Sequence, residues 1–370
     1  MSGKRHHYLP QFLLRRFAEK DGDRAGLVWR ADLSRERVLR VAPKHEAAKR
    51  HYYGLPPESG LPPEFAERVI GIVESNAATA IQRLERGEKL SFDDRHYIAL
   101  LLALQHRRTP AGRRDLRFMD EMLAKLDAEL RTSDTEHVRG VLSSDGRSPT
   151  DEEISEWQEQ TLRELAEGQL IIESTPDREV ALMFMALDRT GPMLVEQFDW
   201  MFLDIETDVG EVVLPDVGVT LLDPTPPFEE SGTGFASSLN AETVLHLSPQ
   251  LVLLIRPGEG YGYRQEAAPS DIEKLNLRAV ACSDRCIYGR TRELVEGVLD
   301  LAGDDPQRVE SLRPRPPRMW ITESHEGEPE AGVHEFVGYS RGGTATRRFH
   351  VSREGIEEAR RNAYRTRPAA

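Results

Sequence analysis

The sequence predicts an α+β fold, with a helical amino-terminal half packed with a mainly antiparallel sheet in the carboxy-terminal half. Three features carry this expectation. Apolar residues recur at helical spacing from about 65 to 197, short β-rich runs bounded by turn residues dominate from Trp200 onward, and helices and strands follow one another instead of alternating. At 370 residues the chain exceeds the usual single-domain size. The expected partition is one domain over 1–300 and an extension with weak strands over 301–370; within the domain come a signature segment (1–60), a helical part (61–197) and a sheet-rich part (198–300).

The elements follow in order. "KRHHYLPQFLLRRF" at 4–17 reads as an extended segment entering a short helix, with Pro10 in the first turn. "LVWRADLSRERVLRVAP" at 27–43 alternates well enough for two strands around a turn, and "GLPPESGLPPEF" at 54–65 closes the irregular region. From Phe65 to about Arg86 the apolar residues Val69, Ile70, Val73, Ala77, Ile81 and Leu84 mark an amphipathic helix closed by Gly87. "SFDD" at 91–94 supplies Ser91 as cap for a helix through "RHYIALLLALQHRR", which is apolar nearly all round and so is expected at the centre of the core. Thr109-Pro110 marks a break before another helical pattern. The polar stretch 132–149 reads as a loop, "TDEE" at 150–153 as a capping box, and "TPDREVALMF" as a helix with Pro176 in its first turn. "WMFLDIET", "EVVLPDVGVTLL", "TVLHLS" and "LVLLIR" suit an antiparallel sheet, "SDIEKLNLRAVACSDRCIYG" returns to a helix capped by Ser270, and "RPRPP" reads as a linker before the strand-like "RMWITES" and "HEFVGYS".

Composition bounds the function. Hydrophobic residues at 39% and charged residues at 30% fit a globular protein, and the longest apolar run, "IALLLALQ" at 98–105, is too short to span a bilayer, so a cytoplasmic protein is expected. Cys282 and Cys286 stand four apart in an expected helix; with no completing ligands they read as small buried apolar groups, and no metal site or disulfide is expected. A net charge of −14 disfavours nucleic acid as partner. The charge is uneven: residues 1–50 carry a net +7 and residues 95–117 a net +5, which would form an anion-attracting surface if the two segments adjoin. No cofactor motif is identifiable.

Phosphate loops, strand-linked GxGxxG, GxSxG and HExxH are all absent. Asp204, Glu206 and Asp208 would share one face of a strand, as metal-binding carboxylates would, but their place at the strand's end, where solvation is cheap, reads as a solvated face. Polar residues that interrupt apolar stripes are more informative. Glu74 lies on the apolar face of the first long helix and needs a partner. Gln105 and Arg108 extend the Ile98, Leu101 stripe inward, and a buried guanidinium must meet a carboxylate or an anionic ligand, so Glu74 with Arg108, or with Arg107, is the natural pair. His6 and His7 are adjacent in an extended segment and so point to opposite sides; one facing inward near a helix N-terminus would be a neutral imidazole, suited to a general base or simply to a backbone contact.

Five segments resemble the bacterial and fungal family catalogued as domain of unknown function 4238. They are "HHYLPQFLLRRF" at the start, Val73-Glu74, "QHRRTPAGRR" at 105–114, "HLSPQLVLLI" at 246–255 and "LNLRAVACSDRCIYG" at 275–289. The family's Thr-Ser-Asp-Asn-Pro run corresponds here to "VLPDVGV", which keeps Asp216 and places Pro215, Val217 and Gly218 around it. The resemblance implies that one of His6 and His7 belongs with Glu74, Gln105, Arg107 or Arg108, Asp216 and Asn276; it implies no activity. If the altered run serves catalysis, activity is altered or lost; if it shapes a turn, Gly218 can substitute.

The expected function is a polar site for an anionic or phosphate-bearing ligand, with a hydrolase or nuclease as one form: His6 or His7 as base, Arg108 stabilising negative charge, Asp216 assisting, and Glu74, Gln105, Arg107 and Asn276 binding ligand. The alternative is a non-enzymatic ligand-binding, regulatory or interaction module. DNA binding through "RRTPAGRRDLRF" has least support, given a pI of about 5.4.

Overall fold

A computed structural model describes residues 5–20, 25–35, 37–55, 57–144, 146–224, 235, 239–260 and 262–314, with the strand backbones at 320–321, 334–340 and 343–350. In chain order the elements are β1 (Arg5–His7), α1 (Gln11–Arg16), β2 (Val28–Asp32), β3 (Arg37–Val41), β4 (Ala48–Arg50), α2 (Phe65–Glu85), α3 (Phe92–Arg108), α4 (Pro110–Ser133), α5 (Thr135–Leu142), α6 (Asp151–Ala166) and α7 (Pro176–Glu196). There follow β5 (Phe198–Asp204), β6 (Leu214–Pro215), β7 (Val219–Leu222), β8 (Glu242–Ser248), β9 (Leu251–Pro257), β10 (Gly262–Glu266), α8 (Pro269–Cys282), β11 (Cys286–Gly289), α9 (Arg292–Asp304), α10 (Pro306–Ser311), β12 (Trp320–Ile321), β13 (His334–Ser340) and β14 (Gly343–His350). The fold is α+β, as the sequence predicts, with long helices in the amino-terminal and central parts and antiparallel pairing dominant among the later strands.

The chain divides into two compact units. The first joins Met1–Arg113 to Pro176–Pro317, and the second joins Arg114–Thr175 to Arg318–Ala370. In the first, a five-stranded sheet runs β10-β5-β9-β8-β7, antiparallel except where β10 pairs parallel to β5, and a four-stranded antiparallel sheet runs β3-β2-β11-β6. The strands β8 and β9 are buried on both faces over Glu242–Ser248 and Leu251–Ile255, which is why both read as near-continuous apolar runs.

Helix α3 lies at the centre of this unit, packed against α2 and α7. Ser91 caps it in a reciprocal capping box with Asp94, and Ile98, Ala99, Leu101, Leu102, Ala103 and Leu104 are all buried. The helix stops at Arg108 because Pro110 cannot continue its backbone ladder. Its last turn therefore presents Gln105 and Arg108 to the interior instead of to more helix.

In the second unit, Thr150 caps α6 through the capping box with Glu153 that "TDEE" predicts. The stretch 132–149 is not all loop: α5 forms there because Asp134 accepts from the Glu136 and His137 N–H groups and nucleates a turn. "HEFVGYS" forms β13, paired antiparallel to β14, while the "RPRPP" linker falls mostly outside the described residues.

Two further expectations need correction. Helix α8 begins at Pro269, with Ala268 rather than Ser270 as cap, because proline at the first position presets the helical φ. Cys282 and Cys286 do not share a helix. Cys282 ends α8 and Cys286 begins β11, because Asp216 captures the intervening backbone N–H groups. Both cysteines are buried free thiols. Among the described residues no helix is long and apolar enough to cross a membrane.

Candidate functional site

The site begins where β1 pairs with β4 and carries His6 and His7 to opposite sides of the segment. His6 is buried. Its Nδ1 accepts the Tyr53 N–H at 2.9 Å, its ring stacks on Tyr53 with centroids 5.5 Å apart, and its Nε2 lies 3.9 Å from Glu67. His7 is half-buried. Its Nε2 lies 3.3 Å from the Lys44 carbonyl, and the Gln11 amide nitrogen sits at the ring edge, 3.0 Å from Nε2 and 3.2 Å from Nδ1; a proton on Nε2 serves the carbonyl and leaves Nδ1 to accept from the amide. Arg15 fixes that amide by donating to Gln11 Oε1 at 2.8 Å. Burial lowers the His7 pKa, the Lys44 carbonyl and Glu74 oppose the shift, and Arg5 and Arg108 add to it, so the imidazole is neutral near pH 7.

The inward end of α3 lies next to this segment. Arg108 and Gln105 are both 0% exposed. The guanidinium donates from Nη1 to Glu74 at 2.6 Å and from Nε to Gln105 Oε1 at 2.7 Å, while Nη2 is buried with no hydrogen-bond partner among the described residues. Gln105 in turn donates to the carbonyls of Tyr8 at 3.0 Å and Val217 at 3.1 Å. One amide therefore ties the amino-terminal signature to the "VLPDVGV" segment. Of the two arginines that the sequence offers for Glu74, Arg108 takes it, and Arg107 is half-buried on the next position.

Asp216 and Asn276 occupy different surroundings. The Asp216 carboxylate accepts the N–H groups of Asp284 and Arg285 at 2.8 Å each and of Cys286 at 3.2 Å, forming the turn between α8 and β11. Asn276 accepts the Val213 N–H at 2.9 Å and donates to the Glu211 carbonyl at 3.0 Å, which pins α8 to the segment entering β6. Both side chains satisfy backbone groups. Tyr8 is the link to the first cluster: burial first, and then the Asp216 carboxylate, push its phenol pKa well up.

A cavity of about 510 Å³ opens beside these groups. One wall is His7, Gln11 and Tyr53. The other is one stripe of α2 and its cap, Glu64, Glu67, Gly71 and Glu74, with Ile70 and Arg68 beside it. Tyr53 spends its hydroxyl on the His7 carbonyl at 3.1 Å, and the Arg68 guanidinium lies over the Phe65 ring, 5.9 Å from its centre. Of the residues expected from the sequence, His7 and Glu74 line the cavity. Glu64, Glu67 and Gly71 were missed, although their i, i+3, i+7 spacing with Glu74 at i+10 is readable as one helical face.

The two locally basic segments do adjoin: Lys49 and Arg113 both lie over the Tyr52 ring, at 5.4 and 4.5 Å from its centre. Arg113 is matched by Glu179 at 2.7 Å, so the junction is less positive than the residue count implies. A second cavity of about 680 Å³ includes Gln250 of the "HLSPQ" segment, Arg16, Arg264 and Arg290. These three arginines are ion-paired, with Glu85, Asp204 and Glu211 respectively, and the fourth arginine of the lining, Arg15, donates to Gln11 at 2.8 Å. Asp204 thus ends β5 in an ion pair, and Glu206 and Asp208 are exposed beyond the strand. Among the described residues no group of three or more His, Cys, Asp and Glu side chains is placed to hold a metal ion.

A family model described as "Protein of unknown function (DUF4238)" matches residues 5–293. No curated protein and no solved structure matches the chain.

Proposed function

The chain belongs to the DUF4238 family of proteins of unknown function, and from that premise we propose that it is a small-molecule-binding module whose ligand sits in the cavity between the amino-terminal segment and α2. The observation that carries this reading is a cavity of about 510 Å³ walled by charged and aromatic side chains, with His7 and Gln11 of the amino-terminal segment on one side and Glu74 on the other. The buried Gln105 and Arg108 network supports the wall from behind. A cytoplasmic setting accords with the two free, buried cysteines.

The test is thermal stabilisation by a metabolite collection. Wild-type protein should be stabilised by at least one compound, by about 2.7 kcal/mol at a hundredfold excess over its dissociation constant. A Cβ on Gly71 would meet nothing within 4 Å, so Gly71→Trp projects into open space and should keep the melting temperature while losing the ligand-induced shift. Loss of both, or no shift in wild type, refutes the reading.

Hydrolysis of an anionic or phosphate-bearing substrate is the second reading. The neutral His7 beside Glu74 and Arg108 favours it, as a base beside a guanidinium. Three lining glutamates against one arginine, and the contacts made by both His7 nitrogens, weigh against it. Turnover of a phosphoester panel that disappears in His7→Ala would favour hydrolysis over simple binding.

A further inference from the structure

We propose that β10 is a self-association edge: two copies of the chain pair their β10 strands antiparallel about Gln265 and join their five-stranded sheets into one. The inference is independent of the cavity. Strand β10 ends the sheet order β10-β5-β9-β8-β7, and every one of its residues, Gly262–Glu266, is exposed. At the opposite edge every residue of β7 is buried, with α3 and α8 packed against it. The Ala267 N–H donates to the Asp204 carbonyl at 2.8 Å, so the parallel ladder takes the N–H and C=O groups of Tyr263 and Gln265, and those of Gly262, Arg264 and Glu266 turn outward. These outward groups have no partner among the described residues. An open edge of this kind is a template for another strand, and β10 carries neither proline nor bulge to blunt it.

The side chains select a second copy as the occupant. Arg264 donates to both Asp204 oxygens and from Nη1 to the Leu84 carbonyl at 2.9 Å, so its charge is matched within the chain, with N–H groups to spare. Glu266 stands opposite Asp204 in the register, like charge against like, and is left without a cation among the described residues. Arg264 and Glu266, at alternate positions, share a face. In an antiparallel pair about Gln265, Arg264 lies opposite Glu266 of the second copy and Glu266 opposite Arg264. Each unmatched carboxylate then gains a guanidinium, and the same two positions exchange their outward N–H and C=O bonds. Pairing about Arg264 would set guanidinium against guanidinium, and pairing about Tyr263 would set Glu266 against Gly260. The strand is thus self-complementary in one register, as a closed two-fold dimer requires. With 5 residues a side, against roughly 20–30 in a standard interface, the pairing is weak, with a dissociation constant on the order of 100 μM.

Sedimentation velocity of the full chain from about 5 to about 500 μM tests the proposal. Wild-type protein should pass from monomer toward dimer over this range, and added salt should weaken the association. Glu266→Lys sets cation against cation and should weaken dimerisation about tenfold or more, while the melting temperature holds because the contact with Asp204 is relieved. Glu266→Pro removes an outward N–H and no bond of the sheet, and should have the same effect. Single cysteines read the register. In a pair that is not hydrogen-bonded the Cα atoms lie about 4.5 Å apart, within disulfide reach, so oxidised glutathione should cross-link Gln265→Cys and leave Tyr263→Cys monomeric. The native thiols are buried and do not compete. A monomer at every concentration, an association unchanged in Glu266→Lys, or faster cross-linking of Tyr263→Cys than of Gln265→Cys would each overturn the proposal, whether or not Glu266→Pro folds. So would a wild-type monomer that instead binds an extended peptide of unrelated sequence at β10, which would assign the edge to a different partner.

Discussion

Arg108 and Glu74 meet at 2.6 Å across the α2–α3 contact, with the guanidinium wholly buried and the carboxylate side chain 24% exposed. The asymmetry decides what each substitution does. Glu74→Gln leaves a buried cation facing a neutral amide, with Gln105 its remaining described partner, and should cost about 3 kcal/mol, the low end for breaking a buried pair because water reaches the Glu74 side. Urea denaturation measures it. The double variant Glu74→Leu, Arg108→Met removes both charges and should be more stable than Glu74→Gln alone; a double variant worse than the single one would mean that the pair contributes net stability rather than specificity.

Gly218 has φ +73, and a Cβ there would lie 2.8 Å from Gln105 Cγ and 2.9 Å from Leu9 Cδ1. Its N–H closes a tight turn on the Pro215 carbonyl at 2.9 Å, which lets Gln105 reach the Val217 carbonyl. Gly218→Ala should therefore lose about 2 kcal/mol or more, from left-handed backbone and steric overlap together. Adding Gln105→Ala relieves the overlap but not the backbone term. A double-mutant cycle on thermal unfolding should show positive coupling of part of the loss; complete additivity would place the whole effect in the backbone.

The sequence made the helices legible because burial on one face writes a period of 3.6, and α3 because burial on every face erases it. Glu74 with Arg108 was legible for the same reason: a charge on an apolar stripe has to be matched. The turn between Cys282 and Cys286 was not. The apolar pattern continues through "AVACSDRCIYG", and what breaks the helix is Asp216, 68 to 70 residues away, accepting three backbone N–H groups. A run that reads as a departure from the family pattern around Asp216 is, in space, a turn built on Gly218 and a carboxylate clamp. The cavity escaped notice because Glu64, Glu67 and Gly71 lie on a face that looks solvated until β1 and Tyr53 are placed opposite it. Periodicity separates apolar from polar faces; it does not separate a polar face in water from one that lines a cavity.

His246 supplies a pH dependence with a defined window. It lies at 0% exposure in β8; burial, opposed by a contact with the Val213 backbone and reinforced by Arg278, holds its pKa at about 3 against an ordinary 6.5. A folded-state pKa below the unfolded value means that the unfolded chain binds a proton that the native one refuses, so this group withdraws stability as the pH falls from about 6.5 toward 3. The lowered pKa of His7 acts in the same direction. Between pH 6.5 and 4.5 the His246 contribution should amount to about 2 kcal/mol, since the unfolded imidazole is half protonated at the upper end and the slope approaches about 1.36 kcal/mol per unit only below it. Carboxylates with lowered pKa values, Asp94 and Glu242 among them, withdraw their contribution from about pH 5 downward, as their unfolded counterparts begin to protonate, so the part of the window above pH 5 belongs to histidine. His246→Leu keeps an apolar side chain in the core and should flatten the stability profile above pH 5 by up to one proton's slope. Urea midpoints measured at half-unit steps would show this, and an unchanged slope in the variant would mean that His246 is protonated in the folded state.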